Sequence, residues 1–161
     1  MTETPVISSQ VEARLQDMGL TLPDVAAPVA AYVPAVISGD LVYTSGQLPL
    51  VNGALTVTGQ AGAAVSRGDA KQQAAICAIN ALAAIKAQIG NLDRISQIVK
   101  VVGYVASDPD FTEQPAVING ASELVGRAFG ATIGTHARSA VGVSALPLGA
   151  AVEVEIIARF V

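Results

Sequence analysis

The chain is short of the side chains from which most catalytic and binding sites are built. Its 161 residues include one histidine, one cysteine and no tryptophan. One cysteine, Cys77, excludes an intramolecular disulfide and any cluster of thiolate ligands. With His136 as the single imidazole, no ordinary metal site is expected. Charged residues make up only 14%, against about 25% in an average soluble domain. The nine lysines and arginines are scattered, so no basic stripe can track a phosphate backbone or hold an anionic membrane surface. Long apolar runs are missing as well. The longest, Ala74 to Ile85, spans 12 residues, includes Asn80 and stops at Lys86, whereas a spanning helix needs about 20. No Gly-x-Gly-x-x-Gly, phosphate loop or nucleophile elbow occurs, and a Ser-His-Asp triad would have to recruit His136. Met1 to Pro5 has neither a basic nor an apolar signal region, so the expectation is a cytoplasmic protein.

What the chain has in abundance is apolar surface. Hydrophobic residues reach 52% and the mean hydropathy is +0.53. That excludes a disordered chain, and the length fits one domain with a sufficient core. Such a chain has too little charge to coat itself. The expectation is that part of its surface is buried in a permanent oligomer.

Along the sequence, Ser9 and Glu12 have capping-box spacing, and Val11, Leu15 and Met18 recur at helical intervals before Gly19. A short N-terminal helix follows from this. Leu22 to Pro34, with three prolines, reads as an extended linker. Ala35–Ile37 and Leu41–Ser45 flank the turn Ser38-Gly39-Asp40 as a hairpin. Asn52-Gly53 marks a second, type I′ turn. A long helix is expected from about Asp69, as N-cap, to Ile89, stopped by Gly90. Its apolar stripe is Ala75, Ile79, Leu82, Ile85 and Ile89, with Lys71, Gln72, Lys86 and Gln88 facing out and Cys77 read as a small core residue or a reactive thiol. Ile98 to Val105 is a β-branched strand. A second helix runs from about Thr112 to Phe129 and stops at Gly130, and Thr132 to Val143 contains a further strand. Val152 to Phe160 alternates, with Val152, Val154, Ile156, Ala158 and Phe160 on one face and Glu153, Glu155, Ile157 and Arg159 on the other. The order α-β-β-α-β-α-β-β predicts an α+β fold, a mixed sheet with both main helices on one face. The other face is left bare.

Chemistry concentrates in His136-Ala137-Arg138-Ser139. An arginine among Ala, Val and Gly needs its guanidinium satisfied. Two readings are open: an internal ion pair with Glu153 or Glu155, or a site for a small carboxylate ligand. Glu153 and Glu155 themselves read either as a solvated edge that pairs with Arg159 or as a group that holds and activates water. His136 is either a structural histidine or a hydrogen-bond or proton donor.

Taken together, Tyr32, Thr44-Ser45-Gly46-Gln47, Asn119, Ala137-Arg138-Ser139, Leu146-Pro147 and Val152-Glu153-Val154-Glu155 resemble the RidA/YjgF family in order and spacing. These are the reactive intermediate or imine deaminases, formerly labelled endoribonuclease L-PSP. The resemblance covers about Val29 to Phe160, and residues 1–28 form an N-terminal helix and linker extension as in the family's longer branch. It implies a chorismate-mutase-like fold for residues 29–161 and a homotrimer whose sheets close a central barrel, with ligand clefts between subunits. It also implies hydrolysis of enamine and imine carboxylates to 2-keto acids and ammonia without a cofactor. Carried over, Arg138 clamps the substrate carboxylate and Glu153 positions or activates water. Tyr32, Ser45, Gly46 and Asn119 line the cleft. His136, Ser139 and Ala140 complete the substrate-binding positions beside Arg138. The sequence departs from the family pattern at Ala140 (often cysteine), His136 (usually proline) and Ala30-Ala31 (usually Gly-Pro). These departures motivate an alternative: a trimer that binds small carboxylates without turning them over. Ribonuclease activity rests on the older label alone.

Overall fold

The computed structural model describes residues 9–25 and 30–161. Part of the expected linker, residues 26–29, and the expectation for Met1 to Pro5 lie outside them. Helix α1 (Gln10–Asp17) begins at Ser9, whose hydroxyl accepts from the Glu12 amide. The carboxylate half of the expected capping box goes elsewhere: Glu12 pairs with Lys86 at 2.7 Å. Asp93 takes its place, accepting from the Ser9 hydroxyl at 2.7 Å and from the amides of Gln10 and Val11 at 2.8 and 3.0 Å. One carboxylate thus satisfies free N–H groups of the helix start and ties α1 to the main body. Val11 and Leu15 are buried in the common core.

Strands β1 (Ala35–Ser38) and β2 (Leu41–Thr44) form the expected hairpin. A two-stranded ribbon follows, β3 (Leu50–Val51) with β4 (Ala54–Leu55). Its turn residues Asn52 and Gly53 have φ of 51° and 79°, both positive as a type I′ turn requires. Helix α2 (Arg67–Ile89) starts three residues earlier than expected, counted from cap to cap. Ser66 is the N-cap and accepts from the Asp69 amide, so Asp69 sits in the first turn, where a carboxylate also favours the helix dipole. Gly90 ends α2 at φ 85°.

Strand β5 (Ile95–Ala106), helix α3 (Gln114–Ile133), strand β6 (Ala137–Val143) and strand β7 (Val152–Phe160) complete the fold. The five-stranded sheet has the order β1-β2-β7-β5-β6, with β5 and β6 parallel and the other pairs antiparallel. Both α2 and α3 lie on one face, and α1 is a third helix packed against α3. The alternation in β7 is as read: Val152, Val154, Ile156 and Ala158 are fully buried under the helices.

Helix α2 departs from a one-stripe helix. Ala70, Ala74, Cys77, Ala78, Ala81 and Ala84 are buried along with the expected isoleucines and Leu82. Helix α3 also comes against the α2 backbone at one point: a Cβ on Gly120 of α3 would stand 2.0 Å from the Lys71 carbonyl oxygen. Cys77 is a core residue, its thiol donating to the Val152 carbonyl and its ionisation suppressed by burial first and by Glu153 second. Gly130 breaks helix α3 at the expected stop. That residue turns to φ 83° inside the element, and the chain makes one further turn before Gly134.

The second sheet face carries no element of the described residues. Val36 and Val141 are 50% and 45% exposed on it, alongside Tyr43, Ile157, Val102 and Tyr104. Among the described residues no helix is long and apolar enough to cross a membrane.

Candidate functional site

The Arg138 side of the site is built by α3 and β6. Arg138 opposes the buried Val101 on β5, so it lies on the helix-covered face of the sheet at its edge strand. Its Nη1 donates to Asn119 Oδ1 at 2.7 Å and to Ser122 Oγ at 3.3 Å. Asn119 and Ser122 are three residues apart and share a helix face. Nε and Nη2 make no hydrogen bond among the described residues, and no carboxylate pairs with the guanidinium. The internal ion pair with Glu153 or Glu155 is therefore not formed. His136 sits beside this group, its Nε2 2.9 Å from Ser122 Oγ and its Nδ1 2.7 Å from the Gly134 carbonyl. Ala140, opposing Gly103, shares the face of Arg138, whereas Ser139, opposing Val102, points to the open face. Ser122 is the residue the sequence reading missed. The available signal was its i+3 spacing from Asn119.

The Glu153 side is built by the ends of β1 and β2 and the start of β7. The small polar residues after β2 do backbone work. Thr44 Oγ1 accepts from the Ile156 amide at 2.9 Å. Ser45 binds the segment before β1, its amide donating to the Pro34 carbonyl at 2.8 Å and its hydroxyl to the Val33 carbonyl at 2.6 Å. This holds Tyr32, 50% exposed, next to the end of β2. Gln47 exchanges two backbone hydrogen bonds with Val154. Gly46 is where Glu153 comes to rest: a Cβ there would lie 2.1 Å from Oε1 and 2.7 Å from Cδ. Only glycine lets the half-buried carboxylate take that position.

Glu153 is electrostatically unusual. Burial, and secondly the charge of Glu155, push its carboxyl above the ordinary carboxylate range. Glu155 accepts from the Tyr104 hydroxyl at 3.3 Å. That phenol is in turn pushed up by its own burial and then by Glu155. Arg159 does not neutralise the pair; it binds Asp40 at 3.2 Å. Among the described residues Glu153 and Glu155 have no cationic partner, and no group of three metal-ligating side chains exists.

These two halves do not meet within one chain. Glu153 opposes Tyr104 on β5 and lies on the open face, while Arg138 lies on the helix face of a strand on the far side of β5. At ~4.8 Å per strand, β6 and β7 are about 10 Å apart, and the sheet itself intervenes. Tyr32, Ser45, Gly46 and Glu153 form one group. Arg138, Asn119, His136 and Ala140 form the other.

A mixed sheet of this order with two helices on one face is the architecture of the YjgF/chorismate mutase-like proteins. The family model described as "YjgF/chorismate_mutase-like, putative endoribonuclease" matches residues 12–160, and the chain belongs to this family. Protein TCP17 of Trypanosoma cruzi is 45% identical over 150 residues, which cover 93% of this chain and 94% of that protein. The crystal structure of Atu1372 from Agrobacterium tumefaciens, a protein described as of unknown function, is 45% identical, with a TM-score of 0.89 over 94% of this chain and 93% of that one. The YjgF gene product of Escherichia coli is 26% identical, with a TM-score of 0.60 over 84% of this chain and 93% of its own.

Proposed function

We propose that the protein hydrolyses small enamine or imine carboxylates to 2-keto acids and ammonia, in a cleft that two copies of the chain build together. The observation that carries this reading is Arg138. It stands at an edge strand, anchored through Nη1 to Asn119 and Ser122, with Nε and Nη2 engaged by nothing among the described residues. Two adjacent free guanidinium donors match a carboxylate bidentately. The second half, with Glu153, then comes from a neighbouring copy, because within one chain it lies on the opposite sheet face. A homotrimer that closes the open faces into a barrel accounts for the exposed Val36, Tyr43 and Val141. It also accounts for the low charge of the whole chain.

In this cleft Arg138 holds the carboxylate so that the adjacent C=N carbon faces a water on Glu153. Glu153, its proton affinity raised by burial and then by Glu155, accepts a proton as the water oxygen bonds to that carbon; the C=N electron pair passes to the nitrogen, which takes the proton back from Glu153 to give the carbinolamine. The carbinolamine hydroxyl then passes its proton, through Glu153, to the nitrogen as the C–N bond breaks, releasing ammonia and leaving the C=O of the keto acid. Tyr32, Ser45 and Gly46 wall the cleft from the Glu153 side. An imine is already electrophilic, so fixing it beside a held water supplies the gain by proximity, and no cofactor is invoked.

The test is ammonia and keto-acid release from enamine generated in situ by an amino-acid oxidase or dehydratase. Arg138→Ala is expected to remove the activity, and equal rates for Arg138→Ala and the unaltered protein would refute the proposal. Ala140, which places no polar group beside Arg138, favours a second reading: a non-catalytic binder of 2-keto acids on the same trimer. Calorimetric binding of 2-keto acids with no turnover would select it.

A further inference from the structure

The group around Arg138 contains a hydrogen-bonded chain that starts from a backbone carbonyl. A carbonyl oxygen only accepts, so at 2.7 Å from Gly134 O the His136 Nδ1 carries the hydrogen. In the tautomer that this hydrogen bond selects, Nε2 is the acceptor, and the Ser122 hydroxyl, 2.9 Å away, donates to it. With its proton committed to His136, Ser122 Oγ turns its lone pairs to the guanidinium and accepts from Arg138 Nη1 at 3.3 Å. The Asn119 oxygen takes the same nitrogen from one helical turn away. Backbone geometry brings the histidine to this point. Gly130 breaks α3 at φ 83°, and the chain doubles back so closely that a Cβ on Gly134 would lie 2.7 Å from the Gly130 carbonyl and 3.0 Å from the Gly126 Cα. Gln97 Nε2 ties the return from the β5 side by donating to the Thr135 carbonyl.

We infer that Ser122 and His136 are positioning residues for Arg138: the Gly134 carbonyl fixes the imidazole tautomer, the imidazole fixes the Ser122 hydroxyl, and that hydroxyl holds Nη1 so that Nε and Nη2 face the cleft. This rests on the reading that Arg138 binds a carboxylate. Neither residue touches the ligand. Their effect is on how often the guanidinium is in its binding orientation, so it appears in the affinity of any carboxylate the site takes.

The probe is 2-oxobutyrate, titrated calorimetrically against the full-length protein. Arg138→Ala is expected to abolish binding. Ser122→Ala, a substitution that an α-helix accepts readily, and His136→Leu each weaken it roughly tenfold, the size of one hydrogen bond to a charged group. The double variant is expected to be no weaker than either single one, because both act through one chain. His136→Gln, whose carboxamide oxygen can accept the Ser122 proton, recovers most of the affinity. A general packing role predicts neither the non-additivity nor that recovery. Unchanged affinity in Ser122→Ala, with binding lost in Arg138→Ala, overturns the inference and leaves the carboxylate reading standing. Full additivity of the two substitutions also overturns it. Unchanged affinity in Arg138→Ala overturns both.

Discussion

Gly46→Ala separates the placement of Glu153 from the stability of the fold. The new Cβ would lie 2.1 Å from Glu153 Oε1, 2.7 Å from Cδ and 3.0 Å from Cγ. Contact distances for such pairs are about 3.5 Å, so the carboxylate must move by roughly 1 Å or more. It can do so by rotating its side chain, at ~1 kcal/mol for an off-rotamer angle. Gly46 is not among the residues with positive φ, so alanine adds no backbone strain. The melting temperature is therefore expected to fall by only a few degrees, about 2–4 °C per kcal/mol in a domain of this size. The catalytic consequence is larger. A 1 Å misplacement of a reacting group costs on the order of 100-fold, equivalent to about 2.7 kcal/mol of barrier. The assay is ammonia release from an enamine generated in situ, run beside Gly68→Ala, where nothing lies within 4 Å of the added Cβ. Turnover in Gly46→Ala within about threefold of the Gly68→Ala control would show that the carboxylate position set by Gly46 is not used in the reaction, given that threefold is under 1 kcal/mol.

Three further outcomes follow from the same contacts. Gly120→Ala drives a Cβ into the Lys71 carbonyl, 2.0 Å away, where backbone cannot yield; a loss of about 3 kcal/mol is expected, read as a fall of roughly 6–12 °C in melting temperature, and an unchanged melt would contradict the close helix packing. Glu153→Gln is expected to abolish turnover while melting at or above the unaltered protein at neutral pH. The raised carboxyl binds its proton more tightly folded than unfolded, so the stability it contributes is lost as pH rises past the ordinary value of about 4.3 to the folded one, and glutamine escapes that loss; a lower melting temperature would contradict it. Asp93 behaves oppositely. Burial pushes its carboxyl up, but the amides of Val11 and Gln10, the Ser9 hydroxyl and the charge of Arg14 together bring it below the ordinary value. Its hold on α1 is complete above about pH 3.9 and lost as pH falls through the folded value. Hydrogen exchange at Val11 and its neighbours, corrected for intrinsic rates, should rise on acidification and in Asp93→Asn at neutral pH. Equal protection in both comparisons would sink this account.

Much of the fold was legible in local signals. The alternation from Val152 to Phe160, the Asn52-Gly53 turn and Ser9 before Val11 each act within a few residues, and each formed as read. The errors came where tertiary contacts decided. Ser66, not Asp69, caps α2, because either residue can cap and only the packed helix selects one. The Glu12 half of the capping box also failed, because the Glu12 carboxylate pairs with Lys86 instead. For the candidate site, the family resemblance named Arg138, Glu153 and Gly46 but not their relative faces. Alternation fixes the two sides of each strand separately, while the phase between β6 and β7 depends on the register each makes with β5. That phase is what places Arg138 and Glu153 on opposite sides of the sheet.

The central claim is that a complete site needs two chains, and subunit complementation tests it most directly. Arg138→Ala and Glu153→Gln chains, each inactive alone, would be unfolded or co-expressed and reassembled together in equal amounts. If Arg138 of one copy works with Glu153 of the next around a three-fold ring, every mixed trimer contains one intact site, and random assembly should restore about a quarter of the unaltered activity. Activity no greater than that of the two inactive proteins, despite verified mixed assembly, would contradict a site shared between copies.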